Sequence, residues 1–227
     1  AEAMKVPFLR DLLLTDSIFI GSNISFENLT PVAAYLGKPG NPALGGLEIS
    51  EYRRRQEQFR QAEIHALLDT EYFIDRAKRL YQYPHFICDT GGSICEWVEP
   101  TNPSDHVLSE LSSRTLMIWL QGDDAHTAEL IRRFDKAPKP MSYQPEFLTK
   151  AWNDYLTQNA CRAEDVDPDA FIRWTYAKAL AHRQPRYRAM ADNWGVTVSA
   201  DDMHKVRDAV DFDELIERTL ETRNNRA

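Results

Sequence analysis

The sequence predicts an α/β protein with a mainly parallel sheet flanked by helices. Short apolar segments alternate with longer amphipathic segments, an order that is typical of a parallel sheet with helices on both faces. One apolar segment, residues 85–88, runs through two polar residues into the glycine pair Gly91-Gly92. Ligands of such proteins bind just outside the carboxyl ends of the strands, so this pair predicts a loop that can approach a ligand closely.

Composition and charge limit the classes of function. The chain has 227 residues, of which 43% are hydrophobic and 27% charged, as in ordinary globular proteins. Its net charge of −8 argues against a broad nucleic-acid surface. No apolar run approaches the ~20 residues that cross a bilayer, so we expect no membrane contact. The three cysteines suit a reducing compartment, and we expect a cytoplasmic protein.

Each predicted strand is a short apolar run that ends at polar residues. Residues 11–20 are predicted to form a buried strand whose tip carries Asp16. The other predicted strands are residues 85–88, 115–120 and 196–199. Residues 21–47 are rich in glycine, proline and asparagine, and are therefore predicted to form a loop.

The helical segments are recognised by apolar residues that recur on one face. Residues 48–70 and 71–81 are predicted to form successive helices before the glycine pair. The later predicted helices are residues 105–111, 125–134, 147–159, 168–182 and 183–193, and a last helix from Asp211. Asp211 and Glu214 have capping-box spacing, which predicts that Asp211 begins this last helix.

We expect a single α/β domain over residues 1–227. Within it, residues 135–145 contain three prolines and two lysines and cannot form a regular helix. This segment is predicted to be either a mobile lid over an anionic ligand or a surface linker. Residues 146–182 are then predicted to be a helical insertion.

Several residues near the predicted strand ends have both a functional and an ordinary structural interpretation. Asp16 could orient a substrate, or it could cap a helix or turn. Gly91-Gly92 could line a ligand pocket or form a plain turn. Arg60 could bind an anion or remain a solvated cation that pairs along its helix. The functional interpretation depends on their convergence, together with the basic segment 135–145, at one end of the sheet.

The order of these motifs resembles that of the P-loop small-molecule kinases, and most closely the shikimate kinase and gluconate kinase branch. The resemblance covers most of the chain, although each matching piece is short. The pieces are a strand ending in Asp16, then Phe59-Arg60, Thr90-Gly91-Gly92, Trp119-Leu120, Arg132-Arg133 and Arg183-Gln184-Pro185-Arg186-Tyr187. The resemblance implies a P-loop kinase-like fold that uses ATP and Mg²⁺ as cofactors.

The resemblance also implies roles on the substrate side. Asp16 would be the base or orienting group beside the acceptor hydroxyl. Arg60 and Arg183 would hold an anionic or polyhydroxylated substrate, because a guanidinium pairs bidentately with carboxylate or phosphate. The amides of Gly91 and Gly92 would line the same pocket.

On the nucleotide side, the resemblance implies that basic residues close over the phosphates. These residues are Arg132, Arg133, Lys136 and Lys139. Asp89 would help to hold Mg²⁺ through a water molecule. Positioning and charge neutralisation of this kind supply most of the catalysis in phosphoryl transfer.

The sequence departs from that family in its phosphate-binding part. It contains no glycine-rich loop ending in Lys-Ser/Thr, and the first, central strand of the family has no counterpart. Without that strand, the remaining strands would flank an empty slot. We therefore expect the natural protein to have ~20 residues upstream of Ala1, enough for a strand and a phosphate loop.

The predicted function is an ATP-dependent phosphotransferase for a small hydroxylated, anionic metabolite. Its partners would be the nucleotide and that metabolite, and a homo-oligomer is left open. One alternative is an ATPase or a nucleotide-gated binding protein on the same fold. Another is a non-catalytic interaction module, if the chain begins at Ala1. A metal hydrolase built on Asp16, Asp89 and Glu96 is weaker, because their spacing does not require a metal.

Overall fold

The computed structural model describes residues 35–82 and 85–225. These residues are mostly helical and include one small sheet of two parallel strands. This arrangement is compatible with the predicted α/β class, but a sheet of two strands is too small to confirm a P-loop kinase architecture. The predicted strand at residues 11–20, including Asp16, lies outside the described residues. Every helix in the described part is too short or too polar to span a lipid bilayer.

The described elements follow the predicted order except at residues 85–88, at the predicted break at Arg183 and at the short helix of residues 200–203. Helices α1 (Ile49–Leu68) and α2 (Thr70–Tyr81) precede the glycine pair, and Gly92–Glu96 form a 3₁₀ helix. The later elements are α3 (His106–Arg114), β1 (Met117–Gln121), α4 (Asp124–Lys136), α5 (Pro145–Gln158), α6 (Pro168–Trp194), β2 (Gly195–Ser199), α7 (Ala200–Met203) and α8 (Ala209–Asn224). The predicted strands at 115–120 and 196–199 are confirmed, and most predicted helices are confirmed with ends shifted by a few residues.

The chain divides into two compact units, which we describe separately. Among the described residues, unit 1 contains 35–63 and 138–172. Unit 2 contains residues 64–137 and 173–225, apart from the two positions outside the described ranges. The expectation of a single domain over 1–227 stays a prediction, because one domain can contain two such units.

Unit 1 is built around interlocking aromatic rings. Phe171 is fully buried and meets Trp152 and Tyr155 edge-on, with ring centroids 5.0 and 5.3 Å apart. Edge-to-face pairs of this kind are favoured by the ring quadrupoles. An ion pair of 2.6 Å between Lys38 and Asp169 ties the glycine-rich segment before α1 to the first turn of α6.

The segment before α5 is held by hydrogen bonds within unit 1. The Tyr143 amide donates to Gln56 Oε1 at 2.7 Å, and the Tyr52 hydroxyl donates to the carbonyl of Met141. Both tyrosines are almost completely buried. Because Met141 and Tyr143 are held in this way, only the residues before Met141 could move in the predicted lid at 135–145. The role of this segment as a lid stays a prediction.

In unit 2, β1 and β2 pair in parallel, with a register from Met117↔Gly195 to Gln121↔Ser199. The backbones are so close at the first of these pairs that a Cβ on Gly195 would lie 2.2 Å from the Met117 carbonyl oxygen. Helix α8 packs against β2. Because the strands are in register, they end side by side, and their carboxyl ends form one edge of the unit.

The apolar core of unit 2 lies beside the 3₁₀ helix. Its buried members are Ile94, Cys95, Val98, Val107, Leu108, Leu111 and Met190. Side chains of α1, β1 and α6 pack around this cluster. Helix α3 is set against it by an N-terminal cap, in which the Asp105 carboxylate accepts from the Leu108 amide at 2.9 Å. The core therefore fixes the residues that immediately follow the glycine pair.

The predicted strand at residues 85–88 is wrong. Residues 85–91 form irregular, exposed structure, and Ile87 is 86% exposed. An apolar run becomes a strand where a neighbouring strand satisfies its backbone groups and a core covers its side chains. In the described part of the chain, β1 and β2 pair with each other and not with this run. Gly91-Gly92 therefore follow an exposed segment and not a buried strand tip.

Two predicted helix boundaries are also wrong. The predicted break at Arg183 does not occur, since α6 continues through it with Pro185 in its interior. Pro185 is exposed, so the helical hydrogen bond that it removes is lost on the solvent side, where water can replace it. At α8, Asp208 caps the first turn, while Asp211 lies inside the helix and pairs with Arg207 at 2.8 Å.

Replacing Pro185 by alanine should stabilise the protein. Alanine restores the missing backbone hydrogen bond and removes the ring clash, so we expect the free energy of unfolding to rise by about 1–3 kcal/mol. Urea unfolding measures this change. Gln184→Ala, at the neighbouring exposed position, is the control and should change stability by less than ~0.5 kcal/mol. A loss of stability in Pro185→Ala would mean that the proline is required for the path of α6.

Candidate functional site

The carboxyl ends of β1 and β2 open on a cavity of about 280 Å³. It is lined by the ends of both strands and the loops that follow them. The lining residues are Gln121, Gly122, Asp123, His126, Ser199, Ala200 and Asp201. This is the position where ligands bind in open α/β sheets, and it lies wholly within unit 2.

Asp123 shapes the loop that follows β1. Its carboxylate accepts from the His126 amide at 2.8 Å and lies 2.6 Å from His126 Nδ1. The Asp123 amide in turn donates to His126 Nδ1 at 3.4 Å, and this bond and the one from the His126 amide form a capping box at the start of α4. The amide hydrogen bond, reinforced by the contact with the imidazole, lowers the pKa of Asp123. Asp123 is therefore negatively charged at neutral pH.

Ser199 and Asp202 shape the start of α7, the short helix that directly follows β2. The Ser199 hydroxyl accepts from the Asp202 amide at 3.0 Å and donates to Asp202 Oδ2 at 2.8 Å. The pKa of Asp202 is lowered, first by its hydrogen bond from Lys205 and then by that from Ser199. The ring of His204 stacks on that of His126, with centroids 6.3 Å apart. The first turn of α4 therefore lies near the end of α7.

The second cluster of interest in unit 2 is a buried ion pair between Glu96 and Arg183. Arg183 Nε lies 2.5 Å from Glu96 Oε1, and the two side chains are 9% and 0% exposed. Burial alone would lower the pKa of Arg183, but the adjacent Glu96 carboxylate outweighs it and raises that pKa above its usual value. Removing one partner of a buried ion pair of this kind costs about 3–5 kcal/mol of stability.

Side chains of α6 also hold the backbone around Glu96. The Tyr187 hydroxyl donates to the Gly92 carbonyl at 2.6 Å. The Arg186 guanidinium donates to the carbonyls of Cys95 and Val98 at 2.7 and 2.6 Å. Because burial raises the pKa of Tyr187, its hydroxyl stays protonated and remains a donor. The residues after Gly91 are thus attached to α6 both by the side chain of Glu96 and by their own backbone carbonyls.

Cys95 is buried beside this ion pair. Burial, followed by the charge of Glu96, raises the pKa of the Cys95 thiol to about 11. Its sulfur also lies 3.4 Å from the Gly92 carbonyl oxygen. A thiol that stays protonated at neutral pH is a poor nucleophile, so Cys95 has a packing role here.

The structure brings together only part of the predicted substrate site. Gly92 and Arg183 are neighbours, since a Cβ on Gly92 would lie 3.9 Å from Arg183 Nη1. Arg183 is buried against Glu96, whereas Gly91 and Gly92 are exposed. Arg60 lies in unit 1 and pairs with Glu57 on its own helix at 2.6 Å. Asp16 lies outside the described residues, so the convergence of all these residues stays a prediction.

The predicted nucleotide-side residues lie at and after the end of α4. Arg132 and Arg133 are exposed and both bind Glu129, at 2.6 and 2.8 Å. Lys136 and Lys139 are exposed as well. Asp89, the predicted metal ligand, lies in the exposed segment, and the described residues contain no group of three or more acidic, histidine or cysteine side chains that could hold a metal ion.

Sequence reasoning missed the roles of Glu96, Arg186 and Tyr187. A signal for the last two was present, because Arg183, Arg186 and Tyr187 are spaced i, i+3, i+4 and share one face of α6. It was overlooked because the predicted break at Arg183 placed that residue at a helix end. Asp123 and His126 were missed too, although Gly122-Asp123 directly follows the confirmed strand β1.

Comparisons of the chain with protein-family models, with curated proteins and with solved structures found no match. The strand-end cavity and the Glu96–Arg183 cluster, together with the sequence resemblance, therefore carry the functional argument.

Replacing Cys95 by alanine should flatten the alkaline stability profile. The thiol has a pKa of 9.0 when solvated and about 11 in the fold, so the unfolded state releases this proton first as the pH rises. As the pH rises from the first of these pKa values to the second, the free energy of unfolding therefore decreases by up to about 2–3 kcal/mol. Urea unfolding across this pH range should show the fall in the parent protein and a smaller one in Cys95→Ala.

The matched control for this measurement is Val98→Ala, which truncates a non-titrating side chain in the same buried cluster and should keep the alkaline slope of the parent. Titrating groups that all three proteins share contribute equally to the pH dependence of stability, and their contributions cancel in the comparison. The difference in slope therefore reports Cys95 alone. Identical slopes in Cys95→Ala and the parent would show that burial does not perturb this thiol.

Proposed function

We propose that the protein is an ATP-dependent phosphotransferase that acts on a small hydroxylated, anionic metabolite. The observation that carries the proposal is the cavity of about 280 Å³ at the shared carboxyl edge of β1 and β2. Parallel strands of α/β enzymes present their ligands at this edge. The sequence resemblance to small-molecule kinases then selects phosphoryl transfer among the reactions that such a site can support.

The chemistry of the cavity suits the nucleoside part of ATP. Asp123 and Asp201 supply acceptors, and Gln121 supplies an amide that can both donate and accept. Amino and hydroxyl groups of a base and a ribose can donate to such acceptors. Carboxylates repel phosphate oxygens, so the triphosphate would have to lie away from these residues.

The described residues do not fit a triphosphate or Mg²⁺ by themselves. The sequence has no Gly-x₄-Gly-Lys-Ser/Thr loop, and Arg132 and Arg133 share the carboxylate of Glu129. Asp89 remains a proposed Mg²⁺ ligand, because Mg²⁺ on phosphates needs only one or two carboxylates. When bound, Mg²⁺-ATP would supply the phosphoryl group.

On the acceptor side, the proposal assigns Gly91-Gly92 to the substrate pocket. This pair is exposed, and the residues that follow it are fixed by the buried cluster on α6. The substrate-binding role of Arg60, which lies in unit 1 and pairs with Glu57, stays a prediction of the sequence resemblance. Asp16 would orient or deprotonate the acceptor hydroxyl, an assignment that rests on the resemblance alone.

Nucleotide binding at the strand-end cavity is testable by thermal shift. With Mg²⁺-ATP at ~100 times its Kd, binding adds about 2.7 kcal/mol of stability, and Tm should rise by about 5 °C or more. Ala200→Trp fills the cavity and should abolish the shift. Ala181→Trp, at an exposed position on α6, is the control and should retain it. An equal shift in both variants would exclude this cavity as the nucleotide site.

Asp16 is tested by phosphoryl transfer itself. Asp16→Asn keeps the size of the side chain but removes its basicity, so transfer to the acceptor should fall by about 10²–10⁴-fold. The ATP-induced thermal shift should persist in this variant. Asp75→Asn, on the exposed face of α2, is the control and should transfer phosphate as the parent does. Full turnover in Asp16→Asn would remove Asp16 from the mechanism.

Exposed apolar side chains favour a non-catalytic interaction module as the second candidate function. Ile87 is 86% exposed, and Leu116 and Leu120 are 40% and 54% exposed. Exposed apolar side chains form an interaction surface where they adjoin one another, and Leu116 and Leu120 are close along the chain. Absence of any Mg²⁺-ATP thermal shift would favour this candidate. ATP hydrolysis that no metabolite redirects would instead favour an ATPase.

A further inference from the structure

The segment after Gly91 is attached to α6 by an unusual set of contacts. Side chains of α6 donate to successive backbone carbonyls along it. The carbonyls that accept these hydrogen bonds are those of Gly92, Cys95, Val98 and Pro100. These hydrogen bonds tether the segment to α6, and those to the carbonyls of the buried residues Cys95 and Val98 satisfy groups that would otherwise be costly to leave without a partner.

The Glu96–Arg183 pair anchors the middle of this segment. Glu96 ends the 3₁₀ helix that begins at Gly92, and its carboxylate is fully buried. A carboxylate in that environment requires a fixed cation, and Arg183 supplies one at 2.5 Å. Moving Glu96 away from Arg183 would break this buried contact, so the ion pair restrains the short helix that starts at Gly92 as well.

The residues on the other side of the glycine pair have a different environment. Residues 85–90 are exposed and irregular, whereas residues 94–98 are buried. Gly91 and Gly92 therefore lie at the boundary between an exposed segment and a buried segment that is hydrogen-bonded to α6. The packing at Gly92 is tight, because a Cβ there would lie 2.7 Å from the Tyr187 hydroxyl.

We propose that Arg183 and Glu96 are positioning residues, which hold Gly91-Gly92 in the conformation that receives the acceptor substrate. Arg183 then acts through Glu96 and the 3₁₀ helix, and does not itself bind the substrate. The identity of the ligand rests on the proposed phosphotransferase function. We use the word clamp for the Glu96–Arg183 ion pair together with the 3₁₀ helix that it restrains. The evidence for this clamp comes only from the contacts of unit 2.

Amide hydrogen exchange tests the clamp without reference to activity. The Ile94 amide donates to the Gly91 carbonyl at 3.2 Å and the Trp97 amide donates to the Ile94 carbonyl at 3.0 Å, so both report on the 3₁₀ helix. In Arg183→Met, exchange at these two amides should accelerate by at least ~10-fold more than expected from the loss of global stability.

The comparison variant is Leu215→Ala, a buried position on α8 outside the core cluster around Ile94. The two variants are compared at equal free energy of unfolding, set with denaturant. Selective opening of the Ile94 and Trp97 amides in Arg183→Met supports the clamp. Equal exchange in the two variants would overturn it, since Arg183 would then contribute only to general stability.

Tyr187→Phe provides a milder test if Arg183→Met fails to fold. It removes the hydroxyl that donates to the Gly92 carbonyl and leaves the ion pair intact. Exchange at the Ile94 amide should rise several-fold while Tm stays near that of the parent. Unchanged exchange in this variant would likewise contradict the clamp.

Kinetics distinguish failure of the clamp from failure of the proposed function. If phosphoryl transfer is observed, Arg183→Met should raise KM for the acceptor at least ~10-fold and leave ATP affinity unchanged, and Arg183→Lys should restore part of the loss by keeping the charge. An unchanged acceptor KM in Arg183→Met would overturn the positioning role. If the parent transfers phosphate to no acceptor, the proposed function fails and hydrogen exchange alone decides the clamp.

Discussion

The buried ion pair between Glu96 and Arg183 is the constraint on which unit 2 depends. The Glu96 carboxylate, with 0% exposure, is stabilised by the Arg183 guanidinium that lies 2.5 Å away. This ion pair restrains the 3₁₀ helix against α6, and α6 leads directly into β2. The same contact therefore connects the glycine pair with the strand that borders the cavity. Apolar packing around Cys95 and Leu108 excludes water from the pair and strengthens the attraction.

The two candidate parts of the site have complementary chemistry. The strand-end cavity offers carboxylates and an amide, which suit hydrogen-bond donors of a ligand. The glycine pair offers exposed backbone beside a rigid anchor, which suits close approach of a small molecule. A reaction between two ligands needs two such places, one for each. Both places lie in unit 2, and α6 and β2 are consecutive along the chain.

Much of the helical and strand pattern could be predicted from the sequence, because periodicity reports burial on one face. The strand at β1 was recognisable as a longer apolar run, whereas residues 85–88 carry too few apolar residues to specify a strand without a partner. The continuity of α6 through Pro185 depends on which face of the helix is exposed, and only the fold decides that.

The candidate site was predictable only in part. The proximity of Gly92 to Arg183 followed from the motif order, but the partner of Arg183 did not. Glu96 is one of many acidic residues in the sequence, and only burial distinguishes it from solvated carboxylates. The cavity at the strand ends required the register of β1 against β2, which depends on tertiary packing.

The most direct test of the account is a double-mutant cycle on the ion pair. Glu96→Gln, Arg183→Met and the double variant would be compared by urea unfolding at neutral pH. If the pair is the constraint described here, Arg183→Met alone costs about 3–5 kcal/mol, and the double variant costs little more than either single variant. Single costs that simply add in the double variant would contradict the account, because the two charges would then not depend on each other.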